Sequence, residues 1–474
     1  MRGADLVTVG PSATGLADGV AIQPHAAFGA RAQLIPVPPA SRDAAVSLVP
    51  PLLLQAPELA EPYAFVAQRG QGADLSTLEL TDLTGASRVT REEPLVIRVD
   101  RPLVAGEHVL PSAWDGEDHL PLGAARAAGD QTELVLTRLP LPSATDELTR
   151  GVAGSLKILF HKVVLSRLGA DYSYPRLGLV TFGGDGEPSY EVDPDRVAAA
   201  VSRATRILLL VHGIIGDTRG MAAGVSRSGL ADGYDALLAF DYESINTPVP
   251  TTASELASAL RRIGLEPGHG KSLTVLAHSM GGLVSRWLIE REGGDTIADR
   301  LVLCGTPSGG SPWPRVEDLA TASVGLALNG LSTLAGPFAI AVKAFGFAVA
   351  ALEKLDVALD DMKPGSKLLA DLAASPQPAI PYVAVAGDEP FGPDGDPARA
   401  RRILEKLRLP AEVLANVFGG EHDVAVSVSS ATTFGSEWQT RPPILDADCN
   451  HLTYFASENG VAAVRQALAG SAKR

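Results

Sequence analysis

Ser279 is the residue whose setting best suits it to chemistry. It sits in Leu276-Ala277-His278-Ser279-Met280-Gly281-Gly282, where an apolar run ends and two glycines precede a helical stretch. That stretch, Leu283 to Glu290, carries Leu283, Val284, Trp287 and Leu288 on one face. Strand, sharp turn and helix together present a serine hydroxyl clear of the backbone. The turn needs small residues two before and two after the serine, because the chain doubles back there. Gly281 meets that need, while Ala277 is small but departs from the strict Gly-x-Ser-x-Gly spacing. A serine that only caps a helix would have similar neighbours. A nucleophilic reading therefore depends on partners, since a hydroxyl needs a base to attack.

Two histidines, His422 and His451, lie downstream of the elbow. His451 occurs in Cys449-Asn450-His451-Leu452-Thr453-Tyr454-Phe455, after the short run Pro443-Ile444-Leu445 and before a helical stretch from Glu458 to Leu468. Two carboxylates are candidates to orient it. Asp423 precedes a Val-rich run and the pair Ser429-Ser430, and Asp388 directly follows the strand-like run Tyr382 to Gly387. Upstream lies Val211-His212-Gly213-Ile214-Ile215-Gly216, and between elbow and histidine lies Leu303-Cys304-Gly305-Thr306-Pro307-Ser308-Gly309-Gly310-Ser311.

In this order the segments resemble the α/β-hydrolase superfamily, and within it bacterial lipases, esterases and related lipid deacylases. The elbow is similar to the Ala-His-Ser-Met-Gly-Gly elbow of some bacterial lipases. The Gly305-Thr306-Pro307 stretch is similar to their Gly-Thr-Pro-His-Gly-Gly-Ser segment, with Ser308 where the histidine usually stands. The resemblance spans about residues 204–470. It implies Ser279 as nucleophile, His451 as base and Asp423 as the acid that orients the imidazole, with Asp388 as the rival acid. It also implies an oxyanion hole made by the backbone N–H groups of Met280 and Ile214, with Gly213 as the fallback donor. His422 has the wrong chain position for the base, and His212 is expected to position its own loop.

The implied reaction is hydrolysis of a carboxylic ester through an acyl-enzyme, with a hydrophobic or lipid-like ester as substrate and peripheral contact with a membrane. No cofactor or metal is called for, and no His/Cys/Asp cluster has zinc spacing. Two other readings stay open. One is acyl transfer to an acceptor other than water by the same triad. The other is an inactive hydrolase fold serving as an interaction module, with an unidentified protein partner for the N-terminal region.

From residue 204 to 474, apolar strands alternate with helices, the pattern of a mostly parallel sheet covered on both faces. The strands expected are Ile207–Val211, Ala236–Phe240, Leu273–Leu276, Leu301–Leu303 and Tyr382–Val385. An apolar insertion at about 312–378 interrupts the alternation, and Leu319 to Val342 carries no charge. Gly, Asn329 and Pro337 break that run, which also lies between two sheet strands. A helical lid over the active site is therefore expected rather than a membrane span.

Residues 61–145 read as a β-rich, sandwich-like domain, with strands at Pro94–Val99, Glu107–Leu110 and Glu133–Thr137. Residues 1–60 are Pro/Ala-rich and read as partly irregular. Residues 146–203 read as a connection led by an amphipathic helix at 147–168, where Leu156, Leu159, Phe160, Val163 and Val164 recur at helical spacing.

A chain of 474 residues suggests more than one domain. A formal charge of −15 argues against a nucleic-acid partner, which needs a basic footprint. Two cysteines, Cys304 and Cys449, are too few for a disulfide framework. The start Met1-Arg2-Gly3-Ala4-Asp5 lacks the layout of a signal peptide, so a cytoplasmic location is expected.

Overall fold

The computed structural model describes all residues except 1–4, 38–48, 56, 58–59, 67–73, 105, 116, 141–154, 165–173, 185, 215–216, 245–246, 314, 332–348, 350–359, 391–395, 410 and 470–474. Strands are numbered along the chain. Two antiparallel sheets form the N-terminal part. The first runs β1 (Val7–Val9), β4 (Gly29–Pro36), β6 (Leu75–Thr84), β12 (Ser155–Val164), β8 (Glu107–Trp114) and β9 (His119–Pro121), with β5 (Glu61–Pro62) on β12. The second runs β10 (Gly123–Ala128), β11 (Gln131–Leu136), β7 (Leu95–Val99), β3 (Val20–Ile22) and β2 (Thr14–Ala17). Leu34, Leu78, Leu80 and Leu110 of the first sheet join Ile22, Ile97, Leu134 and Leu136 of the second in one apolar core.

The structure corrects three sequence expectations here. Residues 155–164 are a strand, not a helix: β12 pairs with β6 on one side and β8 on the other. Its residues Ile158 to His161 are buried without alternation. A strand covered on both faces loses its period of two, and its apolar residues can fall by chance at helical intervals. The rest of that expected helix lies outside the described residues. Second, the segment 1–60 supplies β1 to β4. β1 to β3 have only three or four residues and are too short to display a period, while the eight residues of β4, with Gly29, Ala30 and Ala32 among them, carry few large apolar side chains to mark one. Third, the sheet of the C-terminal part begins before residue 204, with β13 (Arg176–Phe182) and β14 (Pro188–Glu191).

That third sheet runs β14, β13, β16 (Ala236–Asp241), β15 (Arg206–Val211), β17 (Ser272–His278), β18 (Arg300–Cys304), β19 (Tyr382–Gly387) and β20 (Ile444–Ala447). β13 is antiparallel to both its neighbours, and the ladders from β16 to β20 are parallel. Along β15, Ile207, Leu209 and Val211 face one layer, and Leu208 and Leu210 the other. Both layers are apolar, which is why this strand reads as a continuous hydrophobic run.

Among the described residues, the helices before the insertion are α1 (Pro51–Gln55), α2 (Pro194–Arg203), α3 (Thr218–Arg227), α4 (Val249–Arg262) and α5 (Met280–Arg291), and α6 (Val316–Leu328) lies within it. Leu256 and Leu260 of α4 and Leu283 and Leu288 of α5 cover the first face. Val225 of α3 and Val464 of the C-terminal helix Glu458–Ala469 cover the second. Of the expected lid at 312–378, α6 is described, while residues 332–348 and 350–359 lie outside the described set. Among the described residues, no helix is long and apolar enough to cross a membrane.

Candidate active site

β17 delivers Ser279 at its C-terminal end, between β15 and β18. The chain then reverses into α5, and Ser279 takes φ 54°, ψ −129°. A non-glycine residue held in so sparsely populated a region marks stored strain, frequent at functional positions. Gly281 is needed for this turn, because a Cβ there would collide with the carbonyl oxygens of Val211 and His212. Ala277 is different. It sits within the ladder between Val211 and Leu303, fully buried, where its methyl group is accommodated. The departure from the strict motif is therefore harmless to the geometry.

His451 meets the serine from the loop that precedes the C-terminal helix. Its Nε2 lies 2.9 Å from Ser279 Oγ and its Nδ1 lies 2.8 Å from Asp423 Oδ2. A carboxylate only accepts, so Nδ1 carries the proton and Nε2 is free to accept from the hydroxyl. The His451 backbone N–H also donates to the Asp423 carbonyl at 2.8 Å. The imidazole is thus fixed to the acid by both its ring and its backbone.

Asp423 is 1% exposed, and every lone-pair direction is used. Oδ1 accepts from the N–H groups of Ala425 (3.0 Å) and Val426 (2.8 Å), and Oδ2 accepts from His451 and from the Tyr454 hydroxyl (2.8 Å). Burial alone would push this carboxyl up. The His451 partner, the Val426 N–H and the Tyr454 hydroxyl outweigh it and hold the pKa below the ordinary aspartate value. Gly305, at φ 56°, makes the close approach feasible: a Cβ there would sit 2.7 Å from Asp423 Oδ2. The next residue along the acid's loop, Val424, is itself forced to φ 85°, a genuine outlier for a β-branched side chain.

Asp388, the rival acid, ends elsewhere. It follows β19, where its N–H donates to the Ala447 carbonyl, and it faces Asp446 and Asp448. Burial and those like charges raise its pKa. His422 accepts from the Val424 N–H through Nδ1, and burial lowers its pKa. His212 donates Nδ1–H to the Gly213 carbonyl and accepts the Tyr242 N–H at Nε2, so it holds the 212–214 loop in place. Met280 opens α5, where its N–H has no intrahelical acceptor. Ile214 lies with Gly213 on the wall of the same cleft as Ser279.

Two supporting residues escaped the sequence reading. Tyr454 grips the acid, and His278 donates from Nε2 to the His451 carbonyl at 2.8 Å. His278 is half-buried at the cleft, and the loss of water around it, followed by the nearby His451, lowers its pKa to about 3. Their nearness in sequence to His451 and Ser279 was the available signal. The cleft over Ser279 is mainly apolar, walled by Ile214, Leu319, Leu326, Leu331, Val424 and Leu452, and Leu452 is exposed at its rim. Among the described residues, no group of three or more His, Cys, Asp or Glu could hold a metal ion.

No curated protein matches the chain. Solved structures similar to it include the mature form of a lipase from Bacillus licheniformis, at 18% identity over 56% of this chain and 93% of the other, with a TM-score of 0.32. A 2-hydroxy-6-oxo-6-phenylhexa-2,4-dienoate hydrolase from a Rhodococcus species is 14% identical over 61% of this chain and 98% of its own, with a TM-score of 0.36. A carboxylesterase from Bacillus subtilis is 13% identical over 64% and 94%, with a TM-score of 0.35. The model of a family described as a domain of unknown function (DUF7379) matches residues 185–469, which is more than half the chain and includes Ser279, Asp423 and His451, and the chain belongs to that family.

Proposed function

We propose that this protein is a serine hydrolase that cleaves carboxylic esters with hydrophobic acyl groups. The observation that carries the proposal is the continuous relay from Ser279 Oγ through His451 to Asp423, set on a strained elbow at the floor of an apolar cleft.

His451 Nε2 takes the hydroxyl proton as Ser279 Oγ bonds to the ester carbonyl carbon. The carbonyl oxygen becomes an oxyanion, stabilised by the N–H groups of Met280 and Ile214, and Asp423 stabilises the imidazolium. Collapse breaks the bond to the alcohol, which leaves with the proton from His451, and the acyl group stays on Ser279. Water then attacks the acyl carbon, giving its proton to His451. The Ser279–acyl bond breaks, Oγ recovers the proton, and the carboxylic acid departs. The apolar lining and the exposed Leu452 at the rim favour a hydrophobic ester over a polar one.

The test is labelling by a fluorophosphonate probe together with hydrolysis of p-nitrophenyl esters. Wild type should label and turn over, and Ser279→Ala should do neither. Wild type that stays unlabelled, or a Ser279→Ala variant that labels equally, removes the proposal.

A further inference from the structure

Leu319, Ser323 and Leu326, spaced by four and three along α6, line the cleft above Ser279, and Leu331 follows beyond the helix end. The remainder of this helix is held by the N-terminal sheets. Arg91, in the turn before β7, places Nε 2.8 Å from the Glu317 carboxylate and Nη2 2.6 Å from that of Asp318. Arg138, just after β11, lies 3.9 Å from the same Glu317. Both carboxylates are 2% exposed or less.

At the other end of α6, the Asn329 side chain pairs in both directions with the backbone of His119. Its Oδ1 accepts from the His119 N–H at 2.8 Å, and its Nδ2 donates to the His119 carbonyl at 2.7 Å. A second support stands behind. The helix Pro397–Lys406 packs on α6 and is tied to the turn between β8 and β9, with Lys406 on Asp115, Glu117 and Asp118, and Arg399 on Asp118.

Both ends of α6 are therefore fixed by buried polar pairs. Swinging the helix outward would separate Glu317 and Asp318 from their cations and break a two-way amide pairing, each of which now replaces contact with water. An apolar cap helix that moved freely over a cleft would have no use for such anchors.

We propose that the N-terminal β-domain is the positioning element of the acyl pocket. Arg91 and the His119 backbone, acting on Glu317, Asp318 and Asn329, hold α6 as a fixed wall, and Leu319 and Leu326 on that wall select for longer acyl chains. The proposal rests on the ester-hydrolase reading above. Arg91 and Asn329 are positioning residues: they touch α6 or the β-domain and not the ester.

The experiment compares p-nitrophenyl acetate with the octanoate for wild type, Arg91→Met, Asn329→Ala and Leu326→Ala. An acetyl group is too short to use the wall, and an octanoyl group must lie along it. The octanoate-to-acetate ratio of kcat/KM should fall about tenfold in all three variants, carried mainly by a higher KM for octanoate. A ratio within about twofold of wild type in Arg91→Met and Asn329→Ala overturns the proposal. If Arg91→Met does not fold, Arg91→Lys keeps the charge without the fork that spans two carboxylates, and it takes the same test.

Hydrogen exchange on the unmodified protein gives an independent measure. Amides of α6 should exchange as slowly as those of α5, and complete exchange of the α6 amides at the earliest time point overturns the fixed wall. Wild type that hydrolyses neither ester removes the hydrolase reading, while the exchange result still decides whether the β-domain holds α6.

Discussion

Tyr454 donates its hydroxyl proton to Oδ2 of Asp423 at 2.8 Å, the oxygen that also accepts from His451. The same hydroxyl accepts the Gly387 N–H at 2.7 Å, so its proton has one direction left to point. Tyr454→Phe removes one of the hydrogen bonds that steady the acid and leaves the buried Gly387 N–H unpaired. Ester turnover should drop about tenfold, and stability should fall by roughly 1–3 kcal/mol. Steady-state kinetics and a thermal melt check both, and a variant equal to wild type in each would sink the assignment.

The elbow's two small positions should respond unequally. A methyl group at position 281 would press on the backbone carbonyls of Val211 and His212, which cannot turn aside. Gly281→Ala is expected to slow fluorophosphonate labelling by about 10²-fold, through displacement of Ser279 from His451. Ala277→Gly should leave labelling within about threefold of wild type, since the position already carries its methyl without strain. Comparable losses in both would refute this account of the motif.

Arg286 and Glu290 form a buried pair on α5, with Nε 2.7 Å from Oε1 and side chains 1% and 0% exposed. Arg286→Met leaves the Glu290 carboxylate without its cation and should cost about 3–5 kcal/mol in a denaturant titration. Combining it with Glu290→Leu should recover most of that loss, because two apolar side chains need no counter-charge. A double variant as unstable as the single one would contradict this.

His278 makes stability depend on pH. Its folded pKa is about 3, well below the ordinary histidine value of about 6.5. Between these values the unfolded chain binds the proton and the folded one does not. Its contribution is therefore complete above about pH 6.5 and is lost as pH falls toward 3, by up to about 1.4 kcal/mol per pH unit. Buried His119 and His161, each lowered to about 4 chiefly by burial, act in the same direction. Asp423 adds to the loss lower down, since its lowered folded pKa holds its contribution until pH falls through that value. Melting temperature should decline steadily from pH 7 to pH 4. His278→Gln, which keeps a donor for the His451 carbonyl and does not titrate, should show a shallower slope. Equal slopes would exclude His278 as a contributor.

Much of the site was legible because its signals are local. A strand, a serine and two glycines are contiguous from Leu273 to Gly282, and the requirement for a tight reversal is written in those residue sizes. The same holds for β15 to β19, whose burial on both faces leaves runs that are almost wholly apolar. β12 shows where locality fails. Leu156, Leu159, Phe160, Val163 and Val164 fit a helix as well as a doubly covered strand, and only pairing with β6 and β8 settles the choice.

The choice between Asp388 and Asp423 was likewise beyond the sequence, since both follow plausible elements. It turns on which carboxylate the fold carries across Gly305 to Nδ1 of His451, and that is Asp423. The role of residues 7–164 had no sequence signature either. Arg91 and Glu317 are 226 positions apart, and nothing in either neighbourhood announces the other. Their pairing arises because the β-domain and α6 meet in space, and burial at that meeting makes each charge depend on its partner. The sequence by itself determined which residues are available for chemistry. Only tertiary structure decided which carboxylate joins them and what holds the wall of the cleft, because both depend on distances between segments remote in the chain.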